Sequence, residues 1–320
     1  MQTYHLHSYS EVVISVGDLD KTKAFYIDYV GAEVVHKGKA HKTQSLCWDL
    51  PDSCEIEEVL LQFPANHSCG QLRLMRFRHV PQQFIRSGGR VWDTGGIYDI
   101  DLRVSNIEKA YAEMRESGWH GENDPCDLRS AEFWLKEVLV KGHDEVVIAL
   151  VNRLLPPLEN THNHLFISNI YLSALICKDL EQAKVFFIDK LGFKIMNQLQ
   201  IGGKAEQNMF GLPENIFEKH LAHLLLISPN GQRDTMLDLL QFQDLKGRDF
   251  SDYALPPNRG ILMFRFPVTN LHAYYEHILA QGIVPKVALQ RVAIQPYQDV
   301  NLFAVQSPDG VWLEFYEPAN

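Results

Sequence analysis

The stretch "EVVISVGDLDKTKAFYID" (residues 11–28) returns as "LSALICKDLEQAKVFFID" (residues 172–189). Each has an apolar strand-like run, then Asp-Leu, then a helical stretch carrying Ala and two aromatics. The match keeps its register: Asp18 with Asp179, Leu19 with Leu180, Phe25 with Phe186, Gly31 with Gly192. Internal repetition on this scale is the mark of a chain built from stacked supersecondary units. The first copy begins with Glu11 where the second has Leu172, so the copies have diverged in chemistry at an equivalent place.

A second repeat lies between these copies and after them. "GIYDIDLRVSNIEKAYAEMRESG" (residues 96–118) matches "GILMFRFPVTNLHAYYEHILAQG" (residues 260–282). The segment ends correspond too, "LRLMRF" (72–77) with "LDLLQF" (237–242) and "VVIALV" (146–151) with "VWLEFY" (311–316). That makes four modules. Each reads as a strand, then a helix capped by Asp or Asn and closed by glycine (Gly31, Gly118, Gly192, Gly282), then further strands. A βαβββ module leaves one sheet face uncovered, and two modules side by side close an incomplete eight-stranded barrel around it. The expected fold is α+β: two tandem domains, each a pair of modules with helices outside. The first two modules form residues 1–153, a Pro-containing linker occupies 154–165, and modules three and four form 166–320.

Bulk properties bound the function. The chain has 320 residues, 46% of them hydrophobic, enough for two cores. A formal charge of −10 without a basic stripe argues against nucleic acid. No apolar run reaches membrane-spanning length, and residues 1–11 do not resemble a secretory signal. Five cysteines without CxxC pairing read as free thiols of a cytoplasmic protein. No phosphate loop or nucleophile elbow is present.

The segments "VISVGDLDKTKAFYIDYVGAEVV" (13–35), "ALICKDLEQAKVFFIDKLGFKI" (174–195) and "VQSPDGVWLEFYEP" (305–318) resemble the vicinal oxygen chelate superfamily of glyoxalase I, bleomycin-resistance proteins and extradiol dioxygenases. The resemblance covers nearly the whole chain and implies a four-module, two-domain architecture. It places the family's metal-ligand positions at Glu11, Arg73, Asp99 and Ala149 in the first half, and at Leu172, Asp238, Met263 and Glu314 in the second. None is histidine, so the resemblance carries no metal set. No cofactor is expected; the alternative is a divalent Fe, Mn, Zn or Ni.

Alternation along strands assigns the inward side chains. In the first half Glu11, Arg73, Met75, Asp99, Asp101 and Arg103 share the interior, with Arg73 facing Glu11 and Asp99 as counter-ion. Arg73 or Arg103 gripping an anionic ligand is the other option. In the second half Met263, Arg265, Trp312, Tyr316 and Glu314 line a partly aromatic pocket. Asp238 and Glu314 approach each other there as candidate acid/base groups, unless Arg265 simply neutralises them. His162 and His164 read as linker residues, and His223 as a hydrogen-bonded strand residue. The expected function is to hold a small, partly aromatic or apolar molecule without the usual metal. The alternative is a metal-dependent dioxygenase, lyase or isomerase using Asp238 and Glu314. The expected partner is a small-molecule ligand, with neither nucleic acid nor membrane, and a homodimer stays open.

Overall fold

The computed structural model describes residues 3–64, 68–129, 133–157, 167–202 and 208–319. Most of the expected linker, with His162 and His164, lies outside the described residues. Module one comprises β1 (His5–Leu6), β2 (Glu11–Ser15), α1 (Leu19–Asp28), β3 (Glu33–Lys39), α2 (Lys42–Cys47), β4 (Glu55–Gln62) and β5 (Gln71–Arg78). Module two comprises β6 (Asp99–Val104), α3 (Ile107–Glu116), β7 (His120–Gly121), β8 (Cys126–Arg129), β9 (Trp134–Lys141) and β10 (Val147–Leu155). Module three has β11 (Ile167–Ile176), α4 (Leu180–Lys184), β12 (Lys194–Ile201), α5 (Glu214–Phe217), β13 (Ala222–Ser228) and β14 (Met236–Phe242). Module four has β15 (Gly260–Thr269), α6 (Leu271–Ala280), β16 (Val287–Ile294), β17 (Gln298–Gln306) and β18 (Trp312–Pro318).

The repeated helix signals act as local instructions. Asp18, Asn106, Asp179 and Asn270 each cap a helix by accepting from a backbone N–H two or three residues on. The four closing glycines all adopt positive φ, between 73° and 87°, where a side chain would be strained. One detail departs from expectation. The third helix widens after Lys184 into a π turn over Val185–Lys190, with Leu191 N–H donating to Phe186 O at 3.0 Å.

The modules build two curved nine-stranded sheets. Sheet I runs β16-β17-β18-β15-β2-β5-β4-β3, with β1 added on β15. Sheet II runs β12-β13-β14-β11-β6-β10-β9-β7, with β8 added on β9. The two-sheet architecture is the expected one, but the module partners are not. Module one pairs with module four, and module two with module three, so residues 1–153 and 166–320 each contribute one module to each sheet.

Buried charge gives the physical reason. The offset that aligns Gly96 with Gly260 also aligns Asp101 with Arg265. In the observed arrangement Arg265 on β15 lies opposite Glu11 on β2, and Asp101 on β6 lies opposite Leu172 on β11. Pairing module one with module two would set Glu11 against Asp101, carboxylate against carboxylate. It would also set Arg265 against Leu172, leaving a buried guanidinium unpaired. Either change removes a partner from a desolvated charge, at about 3–5 kcal/mol.

Both sheets turn one face toward the helices. Val12, Leu74, Leu102, Leu150, Leu239 and Phe315 belong to a single apolar core there. Helix contacts join the modules across it. Tyr29 OH donates to Ala110 O, and Tyr274 OH donates to Leu191 O at 3.0 Å. The opposite, inner faces hold two separate clusters, one per sheet. The five cysteines form no disulfide.

The cross-paired sheets make a direct expectation. Residues 1–157 or 167–320 expressed alone should lack a cooperative unfolding transition, since each half-chain would present inner strands without partners. Co-expressed, the two fragments should co-purify as one folded complex. Cooperative unfolding of isolated residues 1–157 in a calorimeter would contradict the pairing.

Candidate functional site

The inner face of sheet I centres on an ion-pair network with no solvent access. Arg73 comes from β5, Glu11 from β2, Arg265 from β15, Glu314 from β18 and Glu58 from β4, and all five are 0% exposed. Arg73 Nε donates to both oxygens of Glu11 at 3.0 Å, and Nη1 donates to Glu58 Oε2 at 2.9 Å. Its Nη2 donates to the backbone oxygen of Gln295 at 2.8 Å. Arg265 Nη1 donates to Glu11 Oε1 at 2.8 Å and Nε to Glu314 Oε2 at 2.7 Å. Two side chains from the α2 region close the network. Gln44 Oε1 accepts from Arg265 Nη2 at 3.2 Å, and Trp48 Nε1 donates to Glu314 Oε1 at 2.7 Å.

The electrostatics follow from this geometry. Burial alone would raise the Glu11 pKa, but the two guanidinium groups more than offset it and hold the carboxyl below its usual value. Burial likewise works against charge on Arg73 and Arg265, and the glutamates around them raise both. Arg73 thus is the internal counter-ion expected of it toward Glu11, but its second carboxylate is Glu58. Asp99 belongs to the other sheet. Arg265, directly opposite Glu11, is the residue at the network's centre, whereas Met263 lies two residues along against Val13.

Met263, Trp312 and Tyr316 do share this inner face, in the cluster that also contains Trp48, Val13 and Met75. Val311, Leu313 and Phe315 face the helices, as alternation along β18 requires. Tyr316 stacks on Tyr297, with ring centroids 5.3 Å apart.

The inner face of sheet II has the opposite character. Asp99 and Asp101 of β6, Glu137 of β9 and Asp238 of β14 are all buried. Asp99 accepts from the Ala174 N–H at 2.7 Å. Oδ1 of Asp101 and Oδ1 of Asp238 are buried with no partner, and among the described residues no cation bonds any of the four. Burial pushes Asp99 up to about 6, against the pull of the Ala174 N–H. Burial and the nearby Asp99 push Asp238 up to about 7. Asp101 and Glu137 stand well above the usual carboxylate range for the same reasons.

Asp238 and Glu314 therefore do not approach each other. They sit on different sheets, because module three never meets module four edge to edge. Ala149 and Leu172 occupy the places that Glu314 and Glu11 hold in sheet I. Arg103 lies over the Tyr171 ring at 4.0 Å. The surrounding wall is apolar and aromatic, with Tyr98, Tyr171, Phe210 and Leu240. At one end, a cleft of about 480 Å³ opens between Trp92, Ile176, Phe242, Leu245 and the polar residues Lys178 and Asp249.

Sequence reasoning missed Glu58, Glu137, Gln44, Trp48 and Trp92. Glu58 and Glu137 were within reach, since each is an acid at an alternating position of an apolar strand, "EIEEVLLQ" and "WLKEVLVK". Gln44, Trp48 and Trp92 stand in segments without strand periodicity and carried no such signal. His223 bonds Gln200 and Gln243, as a strand histidine.

The donor sets do not suit the metal that the resemblance brings to mind. In sheet I both carboxylates at the equivalent positions are bonded to guanidinium groups. Among the described residues, no three His, Cys, Asp or Glu side chains are grouped to hold an ion.

Two measurements check these sites. Arg73→Met should destabilise the fold by about 3 kcal/mol or more, since Glu11 and Glu58 stay buried. Adding Glu58→Leu should restore part of that loss in denaturant titrations. An Arg73→Met protein as stable as wild type would contradict the network. In sheet II the sign is reversed. Asp238 holds its proton more tightly folded than unfolded, so its contribution is full in acid and is lost as pH rises from about 4 to about 7. Asp238→Asn should therefore flatten the fall in Tm across that window, and an unchanged pH profile would contradict this assignment.

Known proteins share this arrangement. The family model Glyoxalase/Bleomycin resistance protein/Dioxygenase superfamily matches residues 8–134 and 163–315. Glyoxalase I from Zea mays is similar in fold, with a TM-score of 0.62 at 14% identity over 99% of this chain and 93% of that one. A putative dioxygenase from Bacillus subtilis gives the same TM-score at 9% identity, over 99% of this chain and 86% of that one. No curated protein sequence matches the chain. Among the described residues, no helix is long and apolar enough to cross a membrane. With the family model spanning most of both halves, the chain belongs to the Glyoxalase/Bleomycin resistance protein/Dioxygenase superfamily.

Proposed function

We propose that this chain holds a small, partly aromatic organic molecule on the inner face of sheet II, entered through the cleft beside Trp92. One contrast carries the reading. In sheet I both central arginines, Glu11 and Glu314 are bonded by the chain itself, and the one carboxylate oxygen of the network without a hydrogen bond, Glu58 Oε1, lies 3.6 Å from His36 Nε2. In sheet II Asp101 and Asp238 have buried oxygens without partners, no arginine of the described residues stands among them, and a cleft opens at the strand ends. Ile176 and Phe242 line the cleft and also belong to the apolar cluster around the carboxyls. From Phe242, β14 leads inward to Asp238, four residues or about 13 Å along the strand.

Asp238 keeps the acid/base role expected of it, because a carboxyl that titrates near neutrality can both take and return a proton. Glu314 is less suited, with both oxygens already accepting hydrogen bonds. Asp238 and Glu314 lie on separate sheets, so the reading routes no step through a metal shared by them.

A second reading keeps the ligand in sheet I, against Met263, Arg265, Trp312, Tyr316 and Arg73. Its support is that Trp312 Nε1 and Gln44 Nε2 are buried without partners. A ligand there would replace Gln44 and Trp48 at Arg265 and Glu314.

Tryptophan fluorescence separates the two. Small aromatic amines, alcohols and acids should quench emission in the wild type and in Trp312→Phe, but not in Trp92→Phe. Quenching lost in Trp312→Phe and kept in Trp92→Phe would move the site to sheet I. No quenching by any of them in the wild type would refute both readings.

A further inference from the structure

We propose that the sheet II site selects an organic cation, a ligand with a primary or secondary ammonium group on an apolar or aromatic body. This rests on the proposed pocket and names its ligand class. Four buried carboxyl side chains share the inner face of sheet II: Asp99 and Asp101 on β6, Glu137 on β9 and Asp238 on β14. Asp238 is 6% exposed, and its Oδ1 has no hydrogen-bond partner. Oδ1 of Asp101, at 5% exposure, has none either, although the Asp99 and Asp101 carboxyls hydrogen-bond each other.

Buried acceptors in this state have two ways to be satisfied. Each can carry a proton, or a donor-rich positive group can enter among them. An ammonium supplies up to three N–H donors and the charge that this face lacks. At neutral pH Asp99 and part of Asp238 carry negative charge, which disfavours a carboxylate or phosphate. The four carboxyls also gain less from a neutral hydroxyl, which brings one donor and no charge.

Among the described residues, the internal cation whose charge acts on this face is Arg86, which favours ionised Asp99 but gives its hydrogen bonds elsewhere. Arg86 donates to the backbone oxygens of Gly95, Asp93 and Arg90, and its guanidinium lies 5.1 Å from the Tyr98 ring centroid. The comparison with sheet I sharpens the point. There, two arginines of the chain itself fill the corresponding centre between glutamates. In sheet II the residue aligned with Arg265 is Asp101, and the one aligned with Arg73 is Asp238. The chain thus puts acids where sheet I has its two cations, and Leu172 and Ala149 where sheet I has Glu11 and Glu314.

The approach is compatible with a short aromatic amine. Ile176 lines the cleft, and Ala174, whose N–H bonds Asp99, lies two residues further in, about 7 Å along β11. A ring lodged at the inner end of the cleft, beside Ile176, leaves about 7 Å to the level of Ala174 and of Asp238 opposite it, a span that a three-carbon arm, about 6 Å from ring centre to nitrogen, can bridge to within hydrogen-bond reach. The mouth itself carries Lys178, Lys246, Asp244 and Asp249, so charge selection falls to the interior.

The test uses the full chain and three probes of one shape: 3-phenylpropylamine, 3-phenylpropanol and 3-phenylpropionate, followed by calorimetric titration at neutral pH. The amine should bind about tenfold or more tighter than the alcohol, with the propionate weakest. Asp238→Asn should remove that preference while leaving the alcohol unchanged, and Asp101→Asn is a second variant should the first misfold. Equal binding of amine and alcohol, both lost in Trp92→Phe, would overturn the cation while leaving the pocket standing. An amine preference that survives both Asn variants would also overturn it. No binding by any probe would overturn the pocket together with its ligand class.

Discussion

The pairing of Glu11 with Arg265 is the constraint from which the rest of the architecture follows. These residues lie far apart in the chain and directly opposite each other across β2 and β15. Both are fully buried, so each needs the other at short range. That need fixes which modules share a sheet. Once β2 is committed to β15, the β6 and β11 strands of the middle modules are left to pair with each other. The linker then joins two chain halves that are each divided between two sheets. Arg73, Glu58 and Glu314 extend the pair into a network, and Gln44 and Trp48 close it from the α2 side.

The two inner faces have solved the same problem in opposite ways. In sheet I every strong donor and acceptor of the central arginines and of Glu11 and Glu314 meets another side chain or a backbone oxygen. A network of this kind rigidifies its surroundings. In sheet II the aligned residues are acids, Ala149 and Leu172, which supply no cation and leave oxygens of Asp101 and Asp238 unmet. The two sheets thus differ in whether the buried charges of their inner faces are neutralised from within. The fold is common to both, and the difference lies in a handful of side chains.

Much of this was legible in the sequence, and the failures share a cause. The four caps, the closing glycines and the inward set on β18 follow from local patterns and were read correctly. Arg73 as partner of Glu11 was also within reach, because alternation puts both on the inner face. The module partners were not, because local patterns say which face a strand buries but not which edge it joins. Choosing sequential partners set Arg73 toward Asp99 and Asp238 toward Glu314, two contacts that the sheets forbid. The charges themselves held the answer. Comparing Arg265 with its aligned residue Asp101 would have matched Glu11 with module four. Gln44 and Trp48 could not have been placed from periodicity, since they act from a connecting segment and not from a strand.

The central claim is that one inner face is neutralised from within and the other is not. The most direct measurement is a pH titration of carboxyl carbon chemical shifts in protein labelled at Asp and Glu side chains. Glu11 is expected to stay ionised below the usual glutamate range, held there by Arg73 and Arg265 against the effect of burial. Asp238 is expected to titrate near 7 and Asp99 near 6. If Glu11 instead titrates above the ordinary range while Asp238 and Asp99 titrate within it, the roles assigned to the two sheets are wrong.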